Sequence, residues 1–495
     1  MKNIFKNMPN SSQYAEKLYN FILENKNIIL ISFFVALVIN AVDIFTIKFG
    51  IDSEAYAIAD SSKVYNDIQR YGSWLLYYLI PFARYHIVSQ IIGIFALTLA
   101  ALLTISRHNL PNSAKLLFVL LFVTYPNFAF LQYFYFQSAY NFIGLLLVVI
   151  AYRLIEKNNM LLYILAIVFL FIGISSYQSN IAVFLSVMMI NIILDYIDNK
   201  NIRISIINII KPTIMLIISV LIYYIIIKVV NRGLNGYHGQ FTEYYKNGII
   251  EGLGNVFKNI WQILFSNGVH GSHTANIIIT VILIIYILYS IINYKKYKEN
   301  IKLSFLILLW LLSIFSINIA FGTTVPIRAE LTFAFYPAFI LMLIFYFNNK
   351  LKYLVIILTV FIIGFHASNI VKYQMCYYLT FKQNEALAHD IISKIYNKYP
   401  EITSGKYKIR FTGMVSFGKH PLIKGREFFS WSFFGSGNDD NYRRLDFLKL
   451  QGFPMNIQIG NMTDDMMKKV KDMPSYPDND CVKLIDNTVI IKLSN

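Results

Sequence analysis

The chain has 495 residues, of which 56% are hydrophobic, 16% aromatic and only 14% charged, with a mean hydropathy of +0.52. This is too apolar for an ordinary soluble domain. The formal charge of +17 does not call for a nucleic-acid partner, because the excess Lys and Arg sit largely in short loops between apolar runs, where they set orientation. Those runs recur in blocks of about 17–25 residues, the length of helix that crosses about 30 Å of hydrocarbon, and they lack the alternation of a membrane barrel.

The expected fold class is therefore an all-α polytopic membrane protein. Residues 1–26 are polar and Lys-rich, with Lys2, Lys6, Lys17 and Lys26 placing them in the cytoplasm. No cleavable signal peptide is expected there, since the following apolar run, Ile28 to Ile47, is long enough to stay as a span. The interval from Lys48 to Arg84 is then outside, and its stretch Tyr71 to Leu79 is aromatic enough to lie in the interface. Further spans alternate with basic clusters at Arg107–Lys115, Arg153–Lys157, Lys200–Lys211, Lys295–Lys302 and Lys350–Lys352. The pattern predicts about eleven crossings across residues 27–372, with a count that turns on the interruptions at Pro126 and Tyr177.

Residues 373–495 are polar and form a predicted small α/β domain on the outer, periplasmic face. Asn384 to Tyr399 has helical spacing, with Leu387, Ile391, Ile392 and Ile395 on one face. Tyr407 to Val415 alternates as a strand, Thr463 precedes two acids as a helix cap, and Val482 to Leu493 reads as two strands turning at Asp486-Asn487. Cys376 and Cys481 fit no zinc or redox spacing.

Polar residues that membrane spans do not need gather on the predicted outer side. Asp52 and Glu54, with Asp60, Lys63, Asp67 and Arg70, occupy the first outer interval; either Asp52 or Glu54 suits a general base, and Asp43 is the rival. Arg70 and Arg328 are cations of the kind that grip a phosphate bidentately. Gln69, Tyr71, Trp74, Tyr177, Gln178, Glu330 and Trp431 are candidate sugar contacts, and Arg426, Asp439 and Asp440 extend that set in the outer domain. His238, Glu243, His270 and His273 are too loosely spaced to predict a metal, and none is expected.

One span, an outer loop with Asp52-Ser53-Glu54, and then Arg70-Tyr71-Gly72-Ser73-Trp74 resembles the bacterial O-antigen glucosyltransferases of serotype-conversion clusters, the Gtr type II family. Ser176-Tyr177-Gln178 and Pro326-Ile327-Arg328 add to the likeness. That family often has adjacent acids and a Gly-Arg-Trp, whereas here Ser53 separates the acids and Ser73 follows Gly72. The resemblance implies a class C glycosyltransferase in the bacterial inner membrane. It would move a hexose from undecaprenyl phosphate to lipid-linked O-antigen on the periplasmic side, with no cofactor. A flippase of lipid-linked sugars is the rival from another class, but neither paired broken helices nor related halves are visible in the sequence. An O-antigen polymerase or ligase is the nearer rival.

Overall fold

The computed structural model describes residues 11–58, 64–66, 68–199, 202–231, 248–265, 273–292, 298–322, 325–415, 427–435 and 440–494. Asp60, Lys63, Asp67, His238, Glu243, His270, Arg426 and Asp439 lie outside the described residues, as does the His273 side chain.

Six described helices are long and apolar enough to cross a membrane: Tyr19–Ile39, His86–Ile105, Tyr135–Ile155, Asn180–Asn199, Asn208–Val230 and Asn349–Lys398. The chain is a membrane protein. Four apolar helices are shorter: Asn112–Val123, Met160–Ser176, Asn276–Tyr289 and Leu331–Phe347. They fall among the crossings expected between the basic clusters. Asn112–Val123 has 12 residues, a rise of about 18 Å, which falls short of a hydrocarbon core. The chain turns after it at Thr124 and resumes as the helix Asn127–Gln132 beyond Pro126. The eleventh expected span and the amphipathic stretch from Asn384 are a single helix of 47 residues, Lys352–Lys398. No Gly or Pro falls between Lys372 and Gln383 to end it.

The described chain divides into two compact units. The first comprises residues 1–39, 91–128 and 141–367. Asn180–Asn199 is buried along nearly its whole length and packs on Lys298–Ile314 and Ile202–Asn231. Phe335–Phe347 packs on Asn112–Val123, with the Phe335 and Phe122 rings 4.6 Å apart. At the helix ends, Arg107 pairs with Glu156 at 2.5 Å and with Asp195, while Arg153 pairs with Glu156 at 3.0 Å and donates to the Leu103 carbonyl at 2.9 Å. His108 Nδ1 stands 3.0 Å from Asp198. The ends of His86–Ile105, Tyr135–Ile155 and Asn180–Asn199, which the charge pattern puts on one side, thus meet in one network.

The second unit comprises residues 40–90, 129–140 and 368–495. Its core joins the later part of the long helix to a three-stranded sheet of order β1 (Lys408–Thr412), β3 (Thr488–Lys492), β2 (Val482–Ile485). β3 runs parallel to β1 and antiparallel to β2. Leu387, Ile391 and Ile395 bury the predicted helix face beside Ile409, Phe411, Val489 and Ile491. Asp486 and Asn487 take positive φ of 48° and 62°, as a two-residue hairpin turn between right-twisted strands demands. Thr463 caps Asp464–Lys471 by accepting from the Met466 amide at 3.3 Å. Cys376 and Cys481 are buried and are not joined in a disulfide.

Candidate active site

In the second unit the chain leaves the short helix Ala41–Phe45 without regular structure, and Asp52, at φ 71°, turns it into the helix Ser53–Ile58. Gln69 takes φ 61° just before the helix Tyr71–Leu79. Left-handed backbone at a residue other than glycine costs on the order of 1 kcal/mol, and such strain collects at functional sites.

The helix Asn441–Leu450 packs on Ser53–Ile58 and delivers Arg443. Its Nη2 lies 2.7 Å from Asp52 Oδ1 and its Nη1 lies 2.7 Å from Glu54 Oε1. One guanidinium therefore spans both acids. Asp440 stands 3.9 Å from the same side chain, and the Trp431 ring centre is 5.9 Å from its carbon. The two carboxylates differ in surroundings: Asp52 is 41% exposed, whereas Glu54 is 1% exposed. Glu54 Oε2 is buried with no hydrogen-bond partner among the described residues. Burial raises the Glu54 carboxyl to about 7, against the opposing charge of Arg443. Beside them Arg70 Nη1 donates to Gln137 Oε1. Burial pushes the Tyr56 hydroxyl up, Arg70 opposes that shift and Asp52 adds to it, so both charges act on this one hydroxyl.

Of the expected sugar contacts in this unit, Gln69 is buried, Tyr71 is half-buried, and Trp74 is exposed with its ring 5.2 Å from Tyr78. Asp43, the rival base, is buried and engaged by Lys48 at 2.6 Å and Gln90 at 2.9 Å, so it is not open to an acceptor. The remaining residues belong to the first unit. Arg328 lies in the single turn Ile327–Ala329 that follows Pro326. Glu330 is buried, accepting from Asn318 Nδ2 at 3.2 Å on its side chain and from Asn127 Nδ2 at 3.3 Å on its carbonyl. Tyr177 is buried, and Gln178 Nε2 donates to the Tyr223 hydroxyl at 2.6 Å.

A family model described as Glucosyl transferase GtrII matches residues 44–345, more than half of the chain. The chain belongs to the GtrII glucosyl transferase family. No curated protein and no solved structure matches it. The GtrII match takes in Asp52, Glu54, Arg70, Tyr177, Gln178, Arg328 and Glu330, and it stops before Trp431 and Arg443. In this GtrII member, the guanidinium facing the acids therefore comes from beyond the matched stretch. Sequence reasoning missed Arg443, although Asn441-Tyr442-Arg443-Arg444 put two arginines beside acids it did single out. Arg444 is buried, donates to the Phe433 carbonyl at 3.3 Å, and is held below its usual range, at about 10, by that burial. Among the described residues no group of three His, Cys, Asp or Glu side chains is placed to hold a metal ion.

Proposed function

We propose that this GtrII protein is an inverting, polyprenyl-phosphate-dependent transferase. It moves a hexose, glucose by its family, from undecaprenyl phosphate to a hydroxyl of a lipid-linked O-antigen unit on the periplasmic face of the bacterial inner membrane. The observation that carries the reading is Glu54: a buried carboxyl with a pKa near neutrality, one oxygen on Arg443 and the other without a partner. A base is most effective when its pKa lies near the working pH.

In the proposed step the acceptor oxygen attacks the anomeric carbon as its proton passes to Glu54 Oε2. The bond from that carbon to the phosphate oxygen breaks, and its electron pair leaves with undecaprenyl phosphate. Negative charge grows on the phosphate, and Arg443 with Arg70 supplies fixed positive charge for it. Asp52 keeps Arg443 oriented in the resting enzyme. Trp431, beside Arg443, offers an aromatic face to a sugar ring. Arg328 is proposed as a phosphate-binding cation of the first unit, to be tested by its own Ala variant.

The test compares O-antigen from cells with and without the protein for a side-branch hexose, together with Glu54→Gln and Asp52→Asn. The expected result is a branch that depends on the protein and is lost with Glu54→Gln. An unchanged branch pattern, with the protein expressed and its donor present, overturns the transferase reading.

A further inference from the structure

Lysine is almost never fully buried unless it is paired, and Lys48 is 0% exposed. Its Nζ lies 2.6 Å from Asp43 Oδ1 and donates to Thr46 Oγ1 at 2.9 Å. Asp43 is 4% exposed, and its second oxygen accepts from Gln90 Nε2 at 2.9 Å; the same amide donates to the Gln132 carbonyl at 3.0 Å. Both ions are therefore out of water, with both carboxylate oxygens engaged and the ammonium shared between Asp43 and Thr46. Such a pair is weak support for stability, because an apolar pair of similar volume commonly serves as well. Its use must lie in geometry.

The segment that carries the ion pair leads directly to the acids. The Tyr377 hydroxyl donates to the Lys48 carbonyl at 3.4 Å, and the Lys48 ammonium sits 4.9 Å from the centre of the same ring. The Ile51 amide donates to the Tyr133 hydroxyl at 3.0 Å. Gly50 packs so closely on Tyr133 that a Cβ there would stand 2.3 Å from the ring. The Tyr133 and Tyr377 rings are themselves 4.3 Å apart. From Thr46 to Ile51 the backbone is thus tethered at Lys48 and Ile51 and tightly packed at Gly50, and the next residue is Asp52.

We propose that Asp43 and Lys48 are a positioning pair. Their desolvated contact fixes the path of residues 46–51 and thereby holds Asp52 and Glu54 at the separation that Arg443 spans. The inference rests on the proposed transfer reaction only for its catalytic consequence. An error of about 1 Å at a reacting group is enough to lower a rate about a hundredfold, so loss of the tether is expected to lower kcat while donor KM changes little.

The test uses full-length protein in detergent or nanodiscs with Lys48→Met and the double variant Asp43→Leu/Lys48→Met. The single variant leaves a buried carboxylate alone and is expected to fold poorly. The double variant leaves no orphan charge and keeps the comparison interpretable. Two quantities are read: kcat and KM for transfer, and the protonation midpoint of Glu54 by difference infrared spectroscopy, with Glu54→Gln as the blank. In the double variant the midpoint is expected to rise above the parent value of about 7 as Arg443 loses its grip, and kcat to fall about a hundredfold. An unmoved midpoint in the folded double variant overturns the positioning pair, and a moved midpoint with undiminished kcat overturns its link to transfer. If the parent protein transfers no sugar while the midpoint moves, the transferase reading fails and the positioning pair stands.

Discussion

In the first unit, Arg107 and Arg153 divide the carboxylate oxygens of Glu156 between them, and Asp195 gives one oxygen to Arg107 and the other to Asn208 Nδ2 at 3.4 Å. In the second unit, Asp52 and Glu54 share a single arginine, and one Glu54 oxygen is left over in a dry place. The residue types are the same. The first cluster is closed, so its charges serve to hold three helix ends together. The second keeps one buried carboxylate oxygen without a partner among the described residues, and that is the oxygen proposed to take the acceptor's proton. Clusters of charge in a membrane protein are thus told apart by what remains unsatisfied, since an unmet buried carboxylate oxygen persists at a free-energy cost.

The contrast breaks first at Glu54. Glu54→Gln is expected to lower transfer by about 10²–10⁴-fold, the usual worth of a positioned base, with normal amounts of folded protein; an active Glu54→Gln protein removes the base assignment. Arg443→Ala is expected to cost about 10²–10³-fold in kcat, as loss of a charge-stabilising donor does, measured in membranes supplied with the lipid-linked donor. Arg153→Leu should behave in the opposite manner. It removes one of the two arginines on Glu156, leaving Arg107, and is expected to destabilise by about 1–3 kcal/mol, seen as lower yield and earlier thermal unfolding, with the activity of each surviving folded molecule unchanged.

A finer test uses pH. A base must be deprotonated, so with a Glu54 pKa of about 7 the carboxylate fraction is about one tenth at pH 6 and one half at pH 7, and transfer should rise roughly fivefold across that unit. A fall over the same range marks Glu54 as an acid instead. Stability should move the other way. A carboxyl raised in the folded state contributes stability below its unfolded pKa and loses it as pH climbs through about 7. The melting temperature of Glu54→Gln relative to the parent should accordingly increase from pH 5 to pH 8.

Local patterns were legible in the sequence because they are set by neighbours: the Asp486-Asn487 hairpin, the Thr463 cap, the buried face of Leu387, Ile391 and Ile395, and the acids after the first apolar run. The converging ends at Arg107, Arg153 and Asp195 were legible through charge. What was not legible depends on length and on distant pairing. Asn112–Val123 reads as a span by composition yet is short, because Pro126 cannot sustain the run. Lys352–Lys398 reads as two elements because its composition changes midway, while helix propensity does not. Arg443 finds Glu54 across 389 positions, and no window or spacing rule reaches that far.

The central strand β3 has a consequence for how the enzyme comes into being. Thr488–Lys492 lies between its two neighbours, and the Asn441 side chain that begins the Arg443 helix accepts from the Phe411 amide of β1 at 2.7 Å. A ribosome makes Asp52 and Glu54 hundreds of residues before it makes β3. The guanidinium that meets them, on Arg443, is likewise made late in the chain. Cutting the chain just ahead of residue 488 is expected to unsettle the Arg443 helix through β1 and to lower transfer, read as loss of the side-branch hexose with the truncated protein still in the membrane fraction.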